Sequence, residues 1–361
     1  MKVVKKVFIA LSAILVWTAL PAVSANAVSI GQACPKATLG TRVSIRVNRK
    51  PVIVVCRNVA GRKKWIRAAV QTLATTTTST STTSTTTTTV PQPVISYTDI
   101  VDPVDPTLHT ITIEGMQPRT YYLNVPPKYT PGTPVPLLFG FHGLGGSAQL
   151  FREQSQLDIF TNDANIISVF PSGYGNTAGA QNSWNAGTCC GISQSSQQND
   201  VRLTLAIFLS IKSQYEIDPS NVWAIGYSNG GMMSYAIACY LSDQITAVGI
   251  GAGALMTDTC TPPNPVSLIH IHGGLDYKIP IAGGGAFLAS DSTKAFQQVN
   301  SSNRCSAMTY VESNESEKIQ ISGSCFDGTE AKLVNYLDQG HDWNISWTKE
   351  ILRFLFAHPR K

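Results

Sequence analysis

The chain has 361 residues, of which 43 % are hydrophobic and 14 % charged, and its formal net charge is +5. This composition excludes a disordered chain, which combines low hydrophobicity with high charge. It also excludes a polytopic membrane protein, because a long apolar stretch occurs only near the N-terminus. The length is typical of about two or three domains.

The net charge is distributed unevenly along the sequence. Residues 1–27 carry three Lys and no acidic residue, and residues 28–73 carry ten Lys and Arg, again without Asp or Glu. All 22 acidic residues follow, against 14 basic ones, which gives a net charge of −8 beyond residue 73. Such asymmetry predicts separate modules with separate partners.

Residues 1–27 have the pattern of a secretory signal peptide. Three positive residues stand near the start: Lys2, Lys5 and Lys6. An apolar run over residues 7–19 follows, and Ala25-Asn26-Ala27 fits the small-x-small cleavage pattern. The run is shorter than the roughly 20 residues that a membrane span needs. We therefore expect cleavage before Val28, secretion into the extracellular space and no stable membrane span.

Residues 28–73 predict a small β-rich module. Alternating stretches at residues 41–47 and 52–55 are typical of short strands. A disulfide between Cys34 and Cys56 would help to hold so small a segment together. Ten cations without an acid favour adhesion to an anionic cell-wall polymer, with a solvated basic surface as the alternative. Nucleic acid is not an expected partner outside the cell.

Residues 74–93 predict a linker, because fifteen consecutive Thr and Ser residues at 75–89 offer no apolar side chain for a core. Residues 94–361 then predict one α/β domain. Its expected strands are at residues 135–141, 166–170, 222–225, 266–271 and 333–337, and its expected helices at 201–215, 232–240 and 346–356. Continuous apolar strands that alternate with helices indicate a mostly parallel sheet covered on both faces.

The sequence Gly226-Tyr227-Ser228-Asn229-Gly230 predicts a nucleophile elbow. An apolar strand precedes it and a helix-compatible run follows, which is the strand–turn–helix setting that such an elbow requires. The glycines leave room for strand and helix to approach, and the tight turn presents the serine hydroxyl above the sheet. The alternative is a plain glycine-rich turn between a strand and a helix.

A serine hydroxyl needs a base and an acid that orients the base. His341 follows the last predicted strand, and Asp276 follows the strand at residues 266–271. The order Ser, Asp, His is that of the α/β-hydrolases. Asp258 and Asp291 are rival acids, whereas His270 lies within a strand and is expected to be a packed core histidine.

An oxyanion that forms during acyl transfer needs N–H donors held in place. One candidate is the backbone N–H of Asn229, next to the nucleophile. The second is expected from the glycine-rich loop that begins at His142, with Leu144 preferred and Gly143 as the alternative.

These residues carry a resemblance to a known family. The large domain resembles the secreted esterases that include polyhydroxybutyrate depolymerases and feruloyl esterases. The matching strings run in order through the domain: His142-Gly143-Leu144-Gly145-Gly146, Ser183 to Gly191, Asn199-Asp200-Val201, Ile217-Asp218-Pro219, Gly226 to Met233, His272 to Asp276, and Gly340-His341-Asp342-Trp343. The resemblance implies an α/β-hydrolase fold, a Ser228–Asp276–His341 triad, an ester substrate such as a polyester or an acylated polysaccharide, and no cofactor or metal. Where the family usually has Pro after the final Trp, this chain has Asn344.

The neighbourhood of these motifs suggests which residues contact the substrate. The candidates are His142, Gly143, Trp184, Tyr227 and Trp343. Ordinary packing is an equal alternative for the two tryptophans. Two other functions stay open: acyl transfer of the mycolyltransferase type, and a non-catalytic cell-surface binding protein.

The eight cysteines suit a secreted protein with disulfides. Cys305 and Cys325 are expected to pair across a hairpin. Four further cysteines allow three connectivities: Cys189, Cys190, Cys239 and Cys260. The adjacent Cys189 and Cys190 are expected to join two different partners. A metal site is disfavoured, because the spacing does not match paired Cys-x-x-Cys ligands.

Overall fold

A computed structural model describes the backbone of three short strands between residues 42 and 67, and residues 95–175, 181–257, 260–306 and 310–361. The strands before residue 68 and the residues from 95 onward belong to two separate units. The predicted signal peptide, the Thr/Ser linker and Cys34 lie outside the described residues. Their predicted roles stay predictions, and so does the Cys34–Cys56 disulfide.

The N-terminal unit contains an antiparallel sheet. Its strands are β1 (Arg42–Val47), β2 (Lys50–Val59) and β3 (Arg62–Arg67), in that spatial order. Arg42 pairs with Val55 at one end of the β1–β2 ladder, and Cys56 pairs with Trp65 on β3. Both strands expected in this segment are present, and β2 is longer than the sequence pattern indicated.

The second unit is built on a mixed sheet of eleven strands, counted over the described residues. In chain order the strands are β4 (Tyr97–Val101), β5 (Leu108–Ile113), β6 (Arg119–Asn124), β7 (Val135–Phe141), β8 (Ile167–Pro171), β9 (Ile217–Tyr227), β10 (Ala247–Gly251), β11 (Ser267–Gly273), β12 (Tyr310–Ser313), β13 (Glu317–Ile321) and β14 (Ala331–Tyr336). Their spatial order is β12-β13-β14-β11-β10-β9-β7-β8-β6-β5-β4. The run from β14 to β8 is parallel, and antiparallel strands extend it at both edges.

Helices connect the strands and cover the sheet. They are α1 (Ala148–Ser155), α2 (Leu157–Ala164), α3 (Gly191–Ser195), α4 (Asp200–Gln214), α5 (Asn229–Tyr240), α6 (Ser292–Ser302) and α7 (Ile345–Ala357). Two hydrophobic clusters separate by face: one holds buried residues of α4, α5 and α6, the other those of α1, α2 and α7. Neighbours on β7 divide between them, since Leu137 and Phe139 join the first cluster and Leu138 the second. The predicted sheet with helices on both faces is therefore confirmed.

The half-buried guanidinium of Arg360 fixes the last residues of the chain. Arg360 Nη2 donates to the carbonyls of Ser242 at 2.6 Å and Ile245 at 2.7 Å, and its backbone N–H donates to the carbonyl of Ser220 at 2.9 Å. These carbonyls precede β10 or lie early in β9. The last residues consequently lie at the amino end of the parallel strands.

Candidate active site

The carboxyl ends of four parallel strands gather the predicted site residues. Ser228 directly follows β9, Asp276 follows β11, and His341 follows β14. The loop that begins at His142 follows β7, which pairs with β9. Because these strands are parallel, their carboxyl ends share one edge of the sheet, where ligands of open α/β sheets bind.

Ser228 sits in a strained turn between β9 and α5, with φ 56° and ψ −120°. Such a conformation is rare for a residue with a side chain and is held here by close packing. A Cβ on Gly226 would lie 2.0 Å from the carbonyl oxygen of Gly230, and a Cβ on Gly230 would lie 2.0 Å from that of Phe141. Strand and helix approach so closely that only glycine fits at both positions.

The structure brings Ser228, His341 and Asp276 into one hydrogen-bonded row. Ser228 Oγ lies 2.9 Å from His341 Nε2, and His341 Nδ1 lies 2.6 Å from Asp276 Oδ2. Asp276 Oδ1 accepts the backbone N–H groups of Lys278 and Ile279, each at 2.9 Å. The hydroxyl, the imidazole and the carboxylate thus have the geometry of a nucleophile, a base and an orienting acid.

The carboxylate of Asp276 is strongly stabilised in its charged form. Burial alone would raise its pKa, but hydrogen bonds from His272, His341 and the N–H of Ile279 lower the pKa well below the ordinary value of 3.8. Asp276 is therefore negative at neutral pH and accepts the Nδ1–H of His341. That bond leaves Nε2 free to accept the proton of Ser228.

Tyr227 supports the loop that carries His341. Its hydroxyl donates to the backbone carbonyl of His341 at 2.8 Å, and its ring lies 5.3 Å from the imidazole, centroid to centroid. Burial, with smaller contributions from Asp342 and Asp276, raises the pKa of Tyr227, so the phenol remains a donor.

His142 fixes the loop beside Ser228. Its Nδ1–H donates to the carbonyl of Gly143 at 2.7 Å, and its Nε2 accepts the N–H of Gly173 at 2.8 Å. Burial lowers the pKa of His142 to about 4, so the ring is neutral at pH 7. Because the carbonyl of Gly143 points to His142 and to the N–H of Gly146, the N–H of Leu144 on the same trans peptide points the opposite way.

The predicted oxyanion donors lie at the expected places in the fold. A Cβ on Gly143 would be 3.4 Å from Ser228 Cβ, which places this loop against Ser228. Asn229 is the first residue of α5, and the N–H groups of a first helical turn have no partner within the helix. Both N–H groups therefore stay candidates for binding an oxyanion.

Trp184 is locked into the core. Its side chain is fully buried, and its Nε1–H donates to the carbonyl of His142 at 2.8 Å. The side chain of Asn229 accepts the N–H of Trp184 at 2.7 Å and donates to its carbonyl at 3.1 Å. A fully buried ring has no surface to offer a ligand, so the structure favours a packing role for Trp184, and for the equally buried His142, over the predicted substrate contact.

Trp343 likewise packs inward and is only 6 % exposed. Its Nε1–H donates to Thr348 Oγ1 at 3.1 Å, and its ring contacts Phe151 at a right-angled arrangement. Packing therefore accounts for this side chain as well. Gly143 and Tyr227 lie next to Ser228, and their predicted contacts with substrate stay predictions.

A buried ion pair anchors the segment that carries Trp184. Asp200 at the start of α4 accepts from Arg119 Nη2 at 3.0 Å, from the N–H of Asn185 at 2.7 Å and from Ser193 Oγ at 2.5 Å. Both charged side chains are at least 95 % buried. The pair ties the strand β6, the loop and α4 together behind the site.

The described residues contain three disulfides: Cys189–Cys190, Cys239–Cys260 and Cys305–Cys325. The expected Cys305–Cys325 pair is confirmed. The expectation that Cys189 and Cys190 join two different partners is wrong, because Cys239 and Cys260 face each other with a Cα–Cα distance of 4.9 Å. The Cys239–Cys260 disulfide links α5 to the loop after β10, and Cys189 and Cys190 are bonded to each other.

Sequence reasoning did not find the residues behind Asp276. His270 and His272 on β11 point to one face of the sheet and are fully buried, together with Tyr235 of α5. The expectation of a packed core histidine at position 270 is confirmed. The His-x-His spacing on a strand, directly before the acid, is the signal that could have revealed this group.

The described residues also lack two features, a metal-binding cluster and a membrane-spanning helix. Over the residues that the structure describes, no group of three or more His, Cys, Asp or Glu side chains is arranged to hold a metal ion. Within the same residues, none of the helices has both the length and the apolar character needed to cross a bilayer.

The chain is similar in sequence to proteins of a known family. The family of phospholipases and carboxylesterases matches residues 126–320, more than half of the chain, a range that includes Ser228 and Asp276. Feruloyl esterase C of Emericella nidulans is 31 % identical over 187 residues, which are 50 % of this chain and 62 % of that protein. Feruloyl esterase B of Piromyces equi is 29 % identical over 172 residues, 46 % of this chain and 31 % of that protein. The match therefore spans less than two thirds of either relative.

Solved structures agree with the fold. An acetyl xylan esterase from Aspergillus awamori superposes with a TM-score of 0.52 at 13 % identity, over 72 % of this chain and 99 % of that one. The parallel sheet, the elbow and the order of the site residues define an α/β-hydrolase. Within that fold, the chain belongs to the phospholipase/carboxylesterase family.

Proposed function

We propose that the protein is a secreted serine carboxylic-ester hydrolase of the feruloyl esterase type, with Ser228, His341 and Asp276 as its catalytic triad. The observation that carries the proposal is the continuous row of hydrogen bonds from Ser228 Oγ through His341 to Asp276, at 2.9 and 2.6 Å. The names of the related feruloyl esterases support an ester as the substrate.

The reaction begins when Ser228 Oγ attacks the carbonyl carbon of the ester while His341 Nε2 takes its proton. Asp276 holds the imidazole in the required tautomer and stabilises the imidazolium. The negative charge that develops on the carbonyl oxygen is bound by the N–H groups of Asn229 and Leu144. His341 then protonates the leaving alcohol, and an acyl-enzyme remains.

The second half-reaction repeats these steps with water as the nucleophile. His341 accepts a proton from the water as its oxygen attacks the acyl carbon, and the same two N–H groups bind the oxyanion. Collapse of this intermediate returns the proton to Ser228 Oγ and releases the carboxylic acid. No cofactor is needed for any of these steps.

Apolar side chains near the triad favour a substrate with an apolar or aromatic acyl group. Leu275 and Tyr277, on either side of Asp276, are 64 % and 78 % exposed, and Leu144 on the opposite loop is 41 % exposed. Exposed large apolar side chains grouped around a site are typical of binding surfaces. We therefore favour feruloyl esters over acetyl esters, with a polyester such as polyhydroxybutyrate as the next candidate.

Replacement of the nucleophile tests the proposed reaction. Ser228→Ala should lower kcat for methyl ferulate by at least about a thousandfold, since the residue forms the covalent intermediate. Ser301→Ala, at an exposed position on α6, is the matched control and should keep full activity. Near-full activity of Ser228→Ala, with the melting temperature unchanged, would refute the assignment.

A substrate panel tests the acyl preference. Methyl ferulate, 4-nitrophenyl acetate, 4-nitrophenyl butyrate and a polyhydroxybutyrate film would be compared by kcat/KM or by released acid. We expect the highest value for methyl ferulate. Preference for the polymer film would replace the feruloyl assignment by a depolymerase, and the triad would remain.

The N-terminal segments complete the proposal. Residues 1–27 direct secretion, residues 28–73 adhere to anionic cell-wall polymer, and residues 74–93 connect them to the catalytic domain at 94–361. The charge of +10 on residues 28–73 supports this role. Binding of the secreted full chain to cell walls should fall with added salt and weaken in Lys63→Gln/Lys64→Gln. Salt-independent binding, or none, would contradict it.

A further inference from the structure

A buried chain of hydrogen bonds continues from Asp276 away from the nucleophile. Tyr235 Oη lies 2.8 Å from His270 Nδ1, and His270 Nε2 lies 2.9 Å from His272 Nδ1. His272 Nε2 lies 2.6 Å from the carbonyl oxygen of Ile279 and 3.2 Å from Asp276 Oδ2. The two histidines and the tyrosine are fully buried, and the proposed reaction uses none of them.

The carbonyl of Ile279 determines where the protons are. A carbonyl oxygen only accepts, so His272 Nε2 carries a hydrogen. A neutral imidazole then accepts at Nδ1, so the hydrogen between the two histidines belongs to His270 Nε2. His270 Nδ1 in turn accepts from the hydroxyl of Tyr235. Every donor in the chain consequently points toward Asp276.

Donation in the opposite direction along this chain of hydrogen bonds would leave one buried hydrogen without an acceptor. If His272 were a cation, its Nδ1–H would donate to His270, and His270 Nδ1–H would donate to Tyr235. The hydroxyl hydrogen of Tyr235 would then need another acceptor, and the described part of the chain provides none for it. Burial, reinforced by the neighbouring His272, also lowers the pKa of His270 well below its ordinary value of 6.5.

We propose that Tyr235 and His270 are positioning residues that act through His272 on Asp276 and thereby fix the orientation of His341. This inference rests on the proposed triad. Asp276 Oδ1 is taken by two backbone N–H groups, so Oδ2 alone faces His341 and His272. The chain keeps the hydrogen of His272 on Nε2, where it holds the Ile279 carbonyl and the turn after Asp276.

The aligned donors also act on the charge of Asp276. Hydrogen bonds in a chain polarise one another, and a low-dielectric interior strengthens them. The positive end of each dipole faces the carboxylate, which stabilises the anion that holds the Nδ1–H of His341. Without His270, the buried Nδ1 of His272 has no donor, so the ring is free to adopt the other tautomer beside Asp276.

Two substitutions at position 270 separate this role from simple packing. His270→Leu fills a similar volume and removes the donor to His272, whereas the amide of His270→Gln still donates at that place. We expect His270→Leu to lower kcat about tenfold with KM within about twofold, and His270→Gln to stay within about threefold of the parent. Tyr235→Phe, one link further away, should have a smaller effect than His270→Leu.

Nuclear magnetic resonance of the 15N-labelled full chain gives a readout that does not depend on a substrate. Both His270 and His272 should appear as the Nε2–H tautomer. The downfield proton between His341 Nδ1 and Asp276 should be present in the parent and in His270→Gln, and should be lost or shifted in His270→Leu. Melting temperatures of the variants report any loss of folding.

Several results would overturn the inference: an Nδ1–H tautomer at either histidine, an unchanged downfield resonance in His270→Leu, or equal kcat losses in the Leu and Gln variants. Failure of the proposed function is a different result. In that case the folded parent would hydrolyse no ester, while the tautomers and the downfield resonance would still decide whether the chain positions Asp276 and His341.

Discussion

Tyr227 shows how a single hydroxyl can support a site without touching the reacting atoms. It precedes the proposed nucleophile Ser228 in sequence, yet its hydrogen bond reaches the backbone of His341, 114 residues away. The same residue therefore connects the elbow to the loop of the base. Such a contact restrains the imidazole from its backbone side, while Asp276 restrains it through Nδ1.

Removal of the Tyr227 hydroxyl should lower kcat. Tyr227→Phe keeps the ring against the imidazole and deletes one hydrogen bond, whose net value is about 0.5–1.5 kcal/mol. We expect kcat to fall by about three- to tenfold, measured with methyl ferulate. Tyr240→Phe, at an exposed position on the last turn of α5, is the control and should leave kcat unchanged. Equal kcat in the parent and in Tyr227→Phe would show that the contact is dispensable.

Single residues also mark the limit of sequence reasoning. The placement of Ser228, Asp276 and His341 at the ends of strands could be predicted from the sequence, whereas their catalytic roles stay a proposal. The buried position of Trp184 could not be predicted in this way. Its burial depends on the side-chain amide of Asn229 and on the carbonyl of His142, which are close only in the folded chain.

At the scale of elements, the contacts of the start of α5 with β9 and with β7 tolerate no added atom. Gly230→Ala would place a methyl group 2.0 Å from a backbone oxygen of the neighbouring strand, where no side-chain rotation can relieve the clash. We expect loss of folded protein, or a fall in the free energy of unfolding of more than about 3 kcal/mol.

A second glycine provides the matched control for this contact. A Cβ on Gly340 would have its nearest neighbour at 3.5 Å, which is an ordinary van der Waals distance. Gly340→Ala should therefore unfold within about 0.5 kcal/mol of the parent in denaturant titration. Comparable stability of the two alanine variants would mean that the elbow is less tightly packed than described.

The last helix begins with an asparagine cap instead of the proline usual in the resembling family. The side chain of Asn344 accepts the N–H groups of Ser346 at 3.0 Å and Trp347 at 3.2 Å. This cap provides acceptors for N–H groups that would otherwise have no partner in the first turn of α7. The departure in sequence thus preserves the start of the helix by another route.

Loss of the Asn344 cap should lower the stability of the protein. Asn344→Ala should lower the free energy of unfolding by about 1 kcal/mol, and Asn344→Asp should retain most of it, because aspartate also caps well. Thermal and denaturant unfolding of the three proteins would measure the difference. An alanine variant as stable as the parent would indicate that packing of α7 alone fixes its start.

The elements differ in how well the sequence predicts them. The strands β7, β8, β9, β11 and β14 and the helices at 200–214 and 345–357 could be predicted, because long apolar or amphipathic runs leave few alternatives. The short buried strand β10, which lies between β9 and β11, was missed. The two outermost strands on each side of the sheet, β4 and β5 on one side and β12 and β13 on the other, are short, so their pattern is weak and their pairing depends on the sheet already present. The pair α1 and α2 and the helix α6 were missed for a similar reason, since each buries only a few residues.

At the scale of the whole molecule, buried histidines make stability depend on pH. The pKa of His142 is about 4 in the folded protein against an ordinary value of 6.5, because burial disfavours the charged ring. Between these values the unfolded chain binds a proton that the folded chain does not. The contribution of His142 to the stability is therefore fully present above about pH 6.5 and is lost as the pH falls toward 4.

We expect His142 to contribute on the order of 3 kcal/mol to the free energy of unfolding across the pH range between these two pKa values. His270, whose pKa is also lowered, acts in the same direction. Denaturant unfolding of the parent and of His142→Gln at several pH values would measure the slope, which should be smaller in the variant. Asp276 and Asp99, whose pKa values are lowered, lose their contribution only at more acidic pH. Identical slopes in the two proteins would contradict the role of His142.

The position of Arg360 has a practical consequence for attaching the protein to a surface. The C-terminal residues are tied to carbonyls at the amino end of the parallel strands, and Lys361 next to them is exposed. Ser228 and its partners lie at the opposite, carboxyl end. A linker added after Lys361 would therefore immobilise the protein with the proposed active site directed away from the attachment point. Trimming the chain before Arg360 would remove the hydrogen bonds that hold this end.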